Sequence, residues 1–134
     1  MKKLAKVTLS VFLTLLVISE SAKEDRNEKI VSKNRDAVEN AAPDDWYTLA
    51  YCAKTCIDKK VNSKEVATWI EKSLAIKETA YNMEVKGDYF VVNKLNDEAL
   101  KCYIKAISLA SENNNFESAD LQKKIAKIID LPTT

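Results

Sequence analysis

The chain has 134 residues, with 21 basic and 20 acidic side chains, no histidine, one glycine, two prolines and three cysteines. A single glycine argues against an all-β sandwich or barrel, whose tight turns need glycine and proline, and the missing histidine excludes imidazole zinc sites, Ser-His-Asp and Cys-His catalysis and histidine-held haem. Balanced charge gives no nucleic-acid footprint, so the length leaves room for one small helical domain and a targeting segment.

Lys2, Lys3 and Lys6 open the chain, and the apolar run from Val7 to Ile18 follows, with small residues Ser19 and Ser21 two apart behind it. Positive start, apolar stretch and small-residue site predict a signal peptide over 1–21, and hence a bacterial protein exported to the periplasm or beyond. The alternative is an uncleaved membrane anchor, but the apolar run is about 12 residues long against the ~20 that span a bilayer. Absence of a cysteine just behind the run argues against a lipid anchor.

Residues 22–45 read as a charged linker. Ile30, Val31, Ala37, Val38 and Ala41 give it a weak apolar stripe, enough for a mobile segment or a marginal short helix. Pro43-Asp44-Asp45 reads as a stop followed by a helix N-cap.

From Trp46 the apolar residues advance by three and four. Trp46, Leu49, Ala53 and Cys56 mark a first helix of a domain over 46–130, which ends at Asp58-Lys59-Lys60-Val61. Asn62 with Glu65 predicts a capping box for a second helix, striped by Val66, Ile70, Ser73 and Leu74. A third carries Ala80, Met83, Gly87 and Phe90. Asn96 or Asp97 opens a fourth, with Ala99, Tyr103, Ala106, Ile107 and Ala110 on one side. After Asn113-Asn114-Asn115 a fifth places Leu121, Ile125 and Ile128 on one face, and Leu131-Pro132 stops it. Short polar turns between helices of this length predict an all-α fold of antiparallel pairs.

The cysteines leave three readings open. Cys52 and Cys56 lie one turn apart and Cys102 on a later helix. They are three buried apolar thiols, a pair and a spare with Cys102 in a disulfide, or a soft-metal site of three thiolates. No base is available to make any of them a nucleophile.

Two helix pairs repeat. Setting Glu65-Val66 against Glu98-Ala99 aligns Ile70 with Tyr103, Ser73 with Ala106 and Leu74 with Ile107. With Met83, Lys86, Gly87 and Phe90 on a first helix and Ala99, Tyr103 and Ala106 on a second, residues 46 to about 110 resemble the tetratricopeptide repeat, although Met83 and Lys86 replace the usual Trp and Leu. The earlier repeat fits in either of two registers, one through Leu49, Cys52, Ala53 and Cys56 and one through Trp46, Leu49 and Ala50. The stretches Trp46-Tyr47-Thr48-Leu49-Ala50 and Trp69-Ile70-Glu71-Lys72-Ser73 also look like the helical tail of exported bacterial proteins of unknown function.

The resemblance implies a short solenoid of about two repeats plus a capping helix, packed through Trp46, Ala53, Val66, Gly87, Phe90, Ala99, Tyr103 and Ala106. It implies a non-enzymatic scaffold that holds a protein or peptide partner on its first helices, where Tyr47, Lys54, Tyr81, Glu84 and Asp88 are the expected contact residues. No cofactor, metal or nucleic acid is expected. Because solenoids usually need three or more repeats, self-association is an expected complement. A membrane-anchored structural protein is one alternative. An enzyme using Asp44-Asp45, or Glu84 with Asp88, as acid and base is another.

Overall fold

The computed structural model of the chain describes residues 2–111 and 118–130. It contains six helices: α1 (Lys2–Glu39), α2 (Trp46–Lys59), α3 (Ser63–Ile76), α4 (Ala80–Val92), α5 (Asn96–Ser111) and α6 (Ser118–Ile129). No strand occurs among the described residues, and no helix there is long and apolar enough to cross a membrane. The proposed cleavage site after Ser21 lies within α1, while the expected stops at Asn113-Asn114-Asn115 and Leu131-Pro132 lie outside the described residues.

Helix α1 corrects one expectation. Residues 22–39 are not a linker but the second half of a helix of 38 residues. The stripe read there as weak is what seats it: Ile30, Val31 and Val38 are half-buried, and Val38 packs on the core formed by α2 and α3. So little apolar surface does not stabilise an isolated helix, and tertiary packing completes it. From the solvent side the Arg35 guanidinium donates to both Glu65 oxygens on α3, at 3.0 and 2.8 Å. This contact holds the Glu65 carboxyl below its usual range.

The five later helices form where the periodicity places them. Asp45 caps α2, its Oδ1 accepting from the Thr48 N–H at 2.9 Å. The box expected at Asn62 and Glu65 is absent: Asn62 is left-handed (φ 54°) and its side chain makes no capping bond, while Glu65 turns to Arg35. A reciprocal box forms instead at α4, between Thr79 and Asn82.

Helices α2 with α3, and α4 with α5, make the most extensive contacts and form two hairpins. Their turns are built alike. In the first, Lys60 is left-handed (φ 56°) and the Val61 N–H returns to the Cys56 carbonyl at 2.9 Å; in the second, Lys94 is left-handed (φ 61°) and the Leu95 N–H returns to Phe90 at 2.9 Å. This is the helix stop that usually takes glycine, here made by lysine. Helix α2 also packs on α1 and on α4, and α6 covers α5.

Burial repeats with the sequence. Val66 and Ala99 are buried, as are Ile70 and Tyr103, and Ser73 and Ala106, while Leu74 and Ile107 are half-buried. Helices α2 and α4 start at Trp46 and Ala80, which matches Leu49 with Met83 and Ala53 with Gly87, the first of the two registers. Two cores result: one of α2 and α3 residues with Val85, and one centred on α5 with Met83 and Leu121. Trp46, an expected packing residue, belongs to neither core; it is half-buried with Lys77 lying over its ring at 5.9 Å. Trp69 supplies the core indole instead. Phe90 is half-buried against the second core.

One close approach shapes the second hairpin, and one buried node joins it to the first. A Cβ on Gly87 would lie 2.3 Å from Tyr103 Cε1, so only glycine lets the Tyr103 ring sit there. At the joint, buried Ser73 donates to the Trp46 carbonyl at 2.7 Å. It accepts from buried Asn82 at 3.0 Å, and the same Asn82 amide donates to the Lys77 carbonyl at 2.7 Å. One buried polar node thus ties the start of α2 and the end of α3 to α4.

Candidate interaction face

Helices α2 and α4 lie side by side, so residues at matching positions come together. Tyr47 and Tyr81 stack with ring centroids 5.4 Å apart, and Tyr51, one turn beyond Tyr47, stacks on it at 6.0 Å. Tyr47 and Tyr51 remain 52% and 54% exposed. Tyr81 is the inner end of the row, and burial pushes its hydroxyl up to about 12. Tyr47 thus has a ring neighbour on α2 and another on α4, and the row keeps Tyr47 and Tyr51 open to solvent.

A charged row continues from it. Lys54 matches Asp88 and lies 3.6 Å from it, and it also pairs with Asp58 one turn along α2. Asp88 accepts from the Tyr103 hydroxyl at 2.6 Å. The ammonium of Lys124, from α6, donates to both Asp88 oxygens at 2.7 and 2.8 Å and to Glu84 at 2.7 Å. Burial pulls the Lys124 ammonium down, but its hydrogen bonds to Asp88 and Glu84 outweigh this and the net shift is upward. Burial and the Asp88 bond both push the Tyr103 hydroxyl up.

The five expected contact residues therefore share one face but not one role. Tyr47 is open and Tyr81 supports it. Glu84 and Asp88, expected as free acids, have side chains only 16% and 12% exposed and are committed to Lys124 and Tyr103. Lys54 is part-buried between two acids. Two members of the face were not among the expected residues. Tyr51 was visible in principle, one turn from Tyr47 on the same helix face. Lys124 was not, because its contact spans 36 residues and depends on where α6 lies.

The cysteines are free and buried. Cys52 and Cys56 belong to the first core and Cys102 to the second, so the three do not converge as a thiolate site would require. Burial raises all three thiols, that of Cys56 to about 11, which keeps them protonated and unreactive. Among the described residues no group of three His, Cys, Asp or Glu side chains is placed to hold a metal ion.

Comparison with protein-family models, with curated proteins and with solved structures finds no match to this chain.

Proposed function

We propose that the chain is an exported, non-enzymatic scaffold of the tetratricopeptide-like kind, which holds a segment of a protein partner against the face of α2 and α4. The row Tyr51, Tyr47 and Tyr81 carries this reading: two half-exposed tyrosines, ordered by stacking, lie on the face where first helices of successive pairs meet. Tyrosine is favoured at protein interfaces because a rigid ring contributes much contact area for little ordering entropy, and its hydroxyl adds a directional bond. The solenoid assignment is supported by turns and buried positions that recur between the two hairpins, and by the glycine–tyrosine approach at Gly87. Acid–base chemistry at Glu84 and Asp88 is the less supported alternative, since both carboxylates already face Lys124.

Site-specific photo-crosslinking in the cell envelope tests the reading. A photoreactive side chain at Tyr51 is expected to give a discrete protein adduct, whereas one at Ile104, 56% exposed on α5, is not. Equal labelling at the two positions, or none at Tyr51, overturns it. Mass measurement of the purified protein bears separately on export: a chain starting at Ala22 supports a cleaved signal, and one retaining residues 1–21 supports the anchor.

A further inference from the structure

The end of the molecule that carries the first hairpin turn and the tip of α4 holds a pocket of about 370 Å3. None of the tyrosine-face residues lines it. Ile57 closes one side from the end of α2, Val61 from the first turn and Val66 from α3, while Tyr89 and Val92 face them from α4. The walls are thus mainly aliphatic and aromatic, and the size falls within the range of about 300–1,000 Å3 typical of small-molecule sites. Val92 is 50% exposed, with Val91 and Leu95 beside it in the second turn also open, so apolar surface continues outward from the pocket. Solvent would not select three large aliphatic side chains at one turn, and a ligand chain gives them a partner.

Charge then narrows the ligand. Lys60 is the one cationic residue in the lining and no carboxylate lines the pocket, while on its other side Lys60 borders a cleft that Glu20, Glu24 and Glu28 of α1 share with Lys23. Lys60 is solvent-exposed, and among the described residues its side chain makes no hydrogen bond or ion pair.

We propose that this pocket binds a monomeric medium-chain carboxylate, its alkyl chain lying between the α2 end and α4 and its anionic head against Lys60. The site is independent of the tyrosine face and does not rest on the scaffold reading.

Titration of the full chain with decanoate below its micelle concentration, followed by calorimetry and by methyl NMR, tests this. Saturable one-to-one binding is expected, with shifts centred on Ile57, Val61, Val66 and Val92, and decyltrimethylammonium should bind more weakly. Val92→Asp, at a half-exposed position that tolerates charge, should weaken decanoate about tenfold or more by setting a carboxylate against the ligand chain. Lys60→Glu should weaken it about three- to tenfold, the scale of an exposed ion pair and its reversal. The proposal is overturned if decanoate does not saturate, or if Val92→Asp binds it as well as the parent does, as would happen if the apolar N-terminal segment were the true site. Binding to anionic phospholipid vesicles, or to an apolar peptide, without binding of monomeric decanoate overturns it equally.

Discussion

The two hairpins solve one packing problem with different side chains. Where the first sets Ala53 on α2 and Ile70 on α3, the second sets Gly87 and Tyr103. In the first pair a methyl and a sec-butyl group share the space. In the second the methyl is given up, and a phenol ring occupies the room so made, 2.3 Å from where the Cβ would stand. This exchange has a consequence beyond volume. Tyr103 carries a hydroxyl through the core to Asp88, which also receives Lys124 from α6. Ile70 has no such reach, so the first hairpin is joined to its outer neighbour α1 by Val38 and by an exposed ion pair. Two hairpins can therefore share their turns and their buried positions while one is wired to its outer neighbour by apolar contacts and the other by polar ones.

The largest break in that comparison is expected at Gly87. Gly87→Leu should destabilise by about 3 kcal/mol, since the Tyr103 ring already fills the space of the added atoms. Gly87→Ala should cost about 1–2 kcal/mol, part of the clash being offset by the better helix propensity of alanine. A double-mutant cycle sharpens the point. Tyr103→Ile alone should cost about 2–4 kcal/mol through the cavity it leaves. Gly87→Ala with Tyr103→Ile rebuilds the side chains of the first hairpin in the second, and should cost clearly less than the sum of the two single changes. Denaturant melts that show strict additivity would mean that these residues do not share the space described.

The joint between the hairpins comes next. Asn82 is buried, and its side chain bonds Ser73, the Lys77 carbonyl and the Thr79 N–H. Asn82→Ala should cost about 2–3 kcal/mol by leaving buried polar groups without partners. Ser73→Ala removes fewer bonds and should cost less. If both variants melt with the parent, the node does not hold α4 to the first pair.

Below these lies the link between α4 and α6. Lys124→Met should cost about 1–2 kcal/mol, less than a fully buried pair because the side chain keeps some contact with water. Titration gives a second reading of the same contact. Lys124 and Tyr81 both hold their protons more tightly in the folded chain. Stability from such groups is complete below their ordinary values and is lost as pH rises through the raised ones. For Tyr81 this loss runs from pH 10.0 to about 12, and the buried Tyr103 hydroxyl acts in the same direction. Thermal melts should therefore fall steeply on the alkaline side, and Lys124→Met should flatten part of that fall. A tyrosinate absorbance titration should show Tyr81 and Tyr103 ionising above the ordinary tyrosine range.

How much of this was legible depends on the range of each interaction. The five helices from Trp46 onward were readable because their apolar stripes are local, and Tyr47 with Tyr81 followed from repeat spacing. The first hairpin stop was legible at Asp58-Lys59-Lys60-Val61, but not that lysine rather than glycine would hold the left-handed position. The role of Asn82 was not legible, since nothing local shows that Ser73 and Lys77 will close around it. Glu84 and Asp88 read as free acids for the same reason, as their cation arrives from 40 and 36 residues away. The lysine at the turn can be tested directly. Lys94→Gly should stabilise by about 1 kcal/mol by removing the left-handed penalty of a side chain, and a lower melting temperature would mean that the side chain makes a compensating contact.

The smallest expected effect separates α1 from both hairpins. Its described side chains meet the domain through a half-buried apolar stripe, buried Asn34, whose amide turns back to the Ile30 carbonyl, and the Arg35–Glu65 pair, whose side chains are 41% and 36% exposed. Pairs of that exposure are weak and screened by salt, and no buried polar node like that of Ser73 and Asn82 joins α1 to α2 among the described contacts. Arg35→Gln should therefore leave the melting temperature nearly unchanged. Its effect should show in amide hydrogen exchange, which reports local opening well below global unfolding. Residues 30–38 are expected to exchange faster, and α4 and α5 to stay as protected as in the parent. The difference should fade at high salt, where the parent pair is itself screened. Equal loss of protection in α5 would show instead that α1 and the second hairpin open as one unit, and the contrast between apolar and polar wiring would then have no thermodynamic meaning.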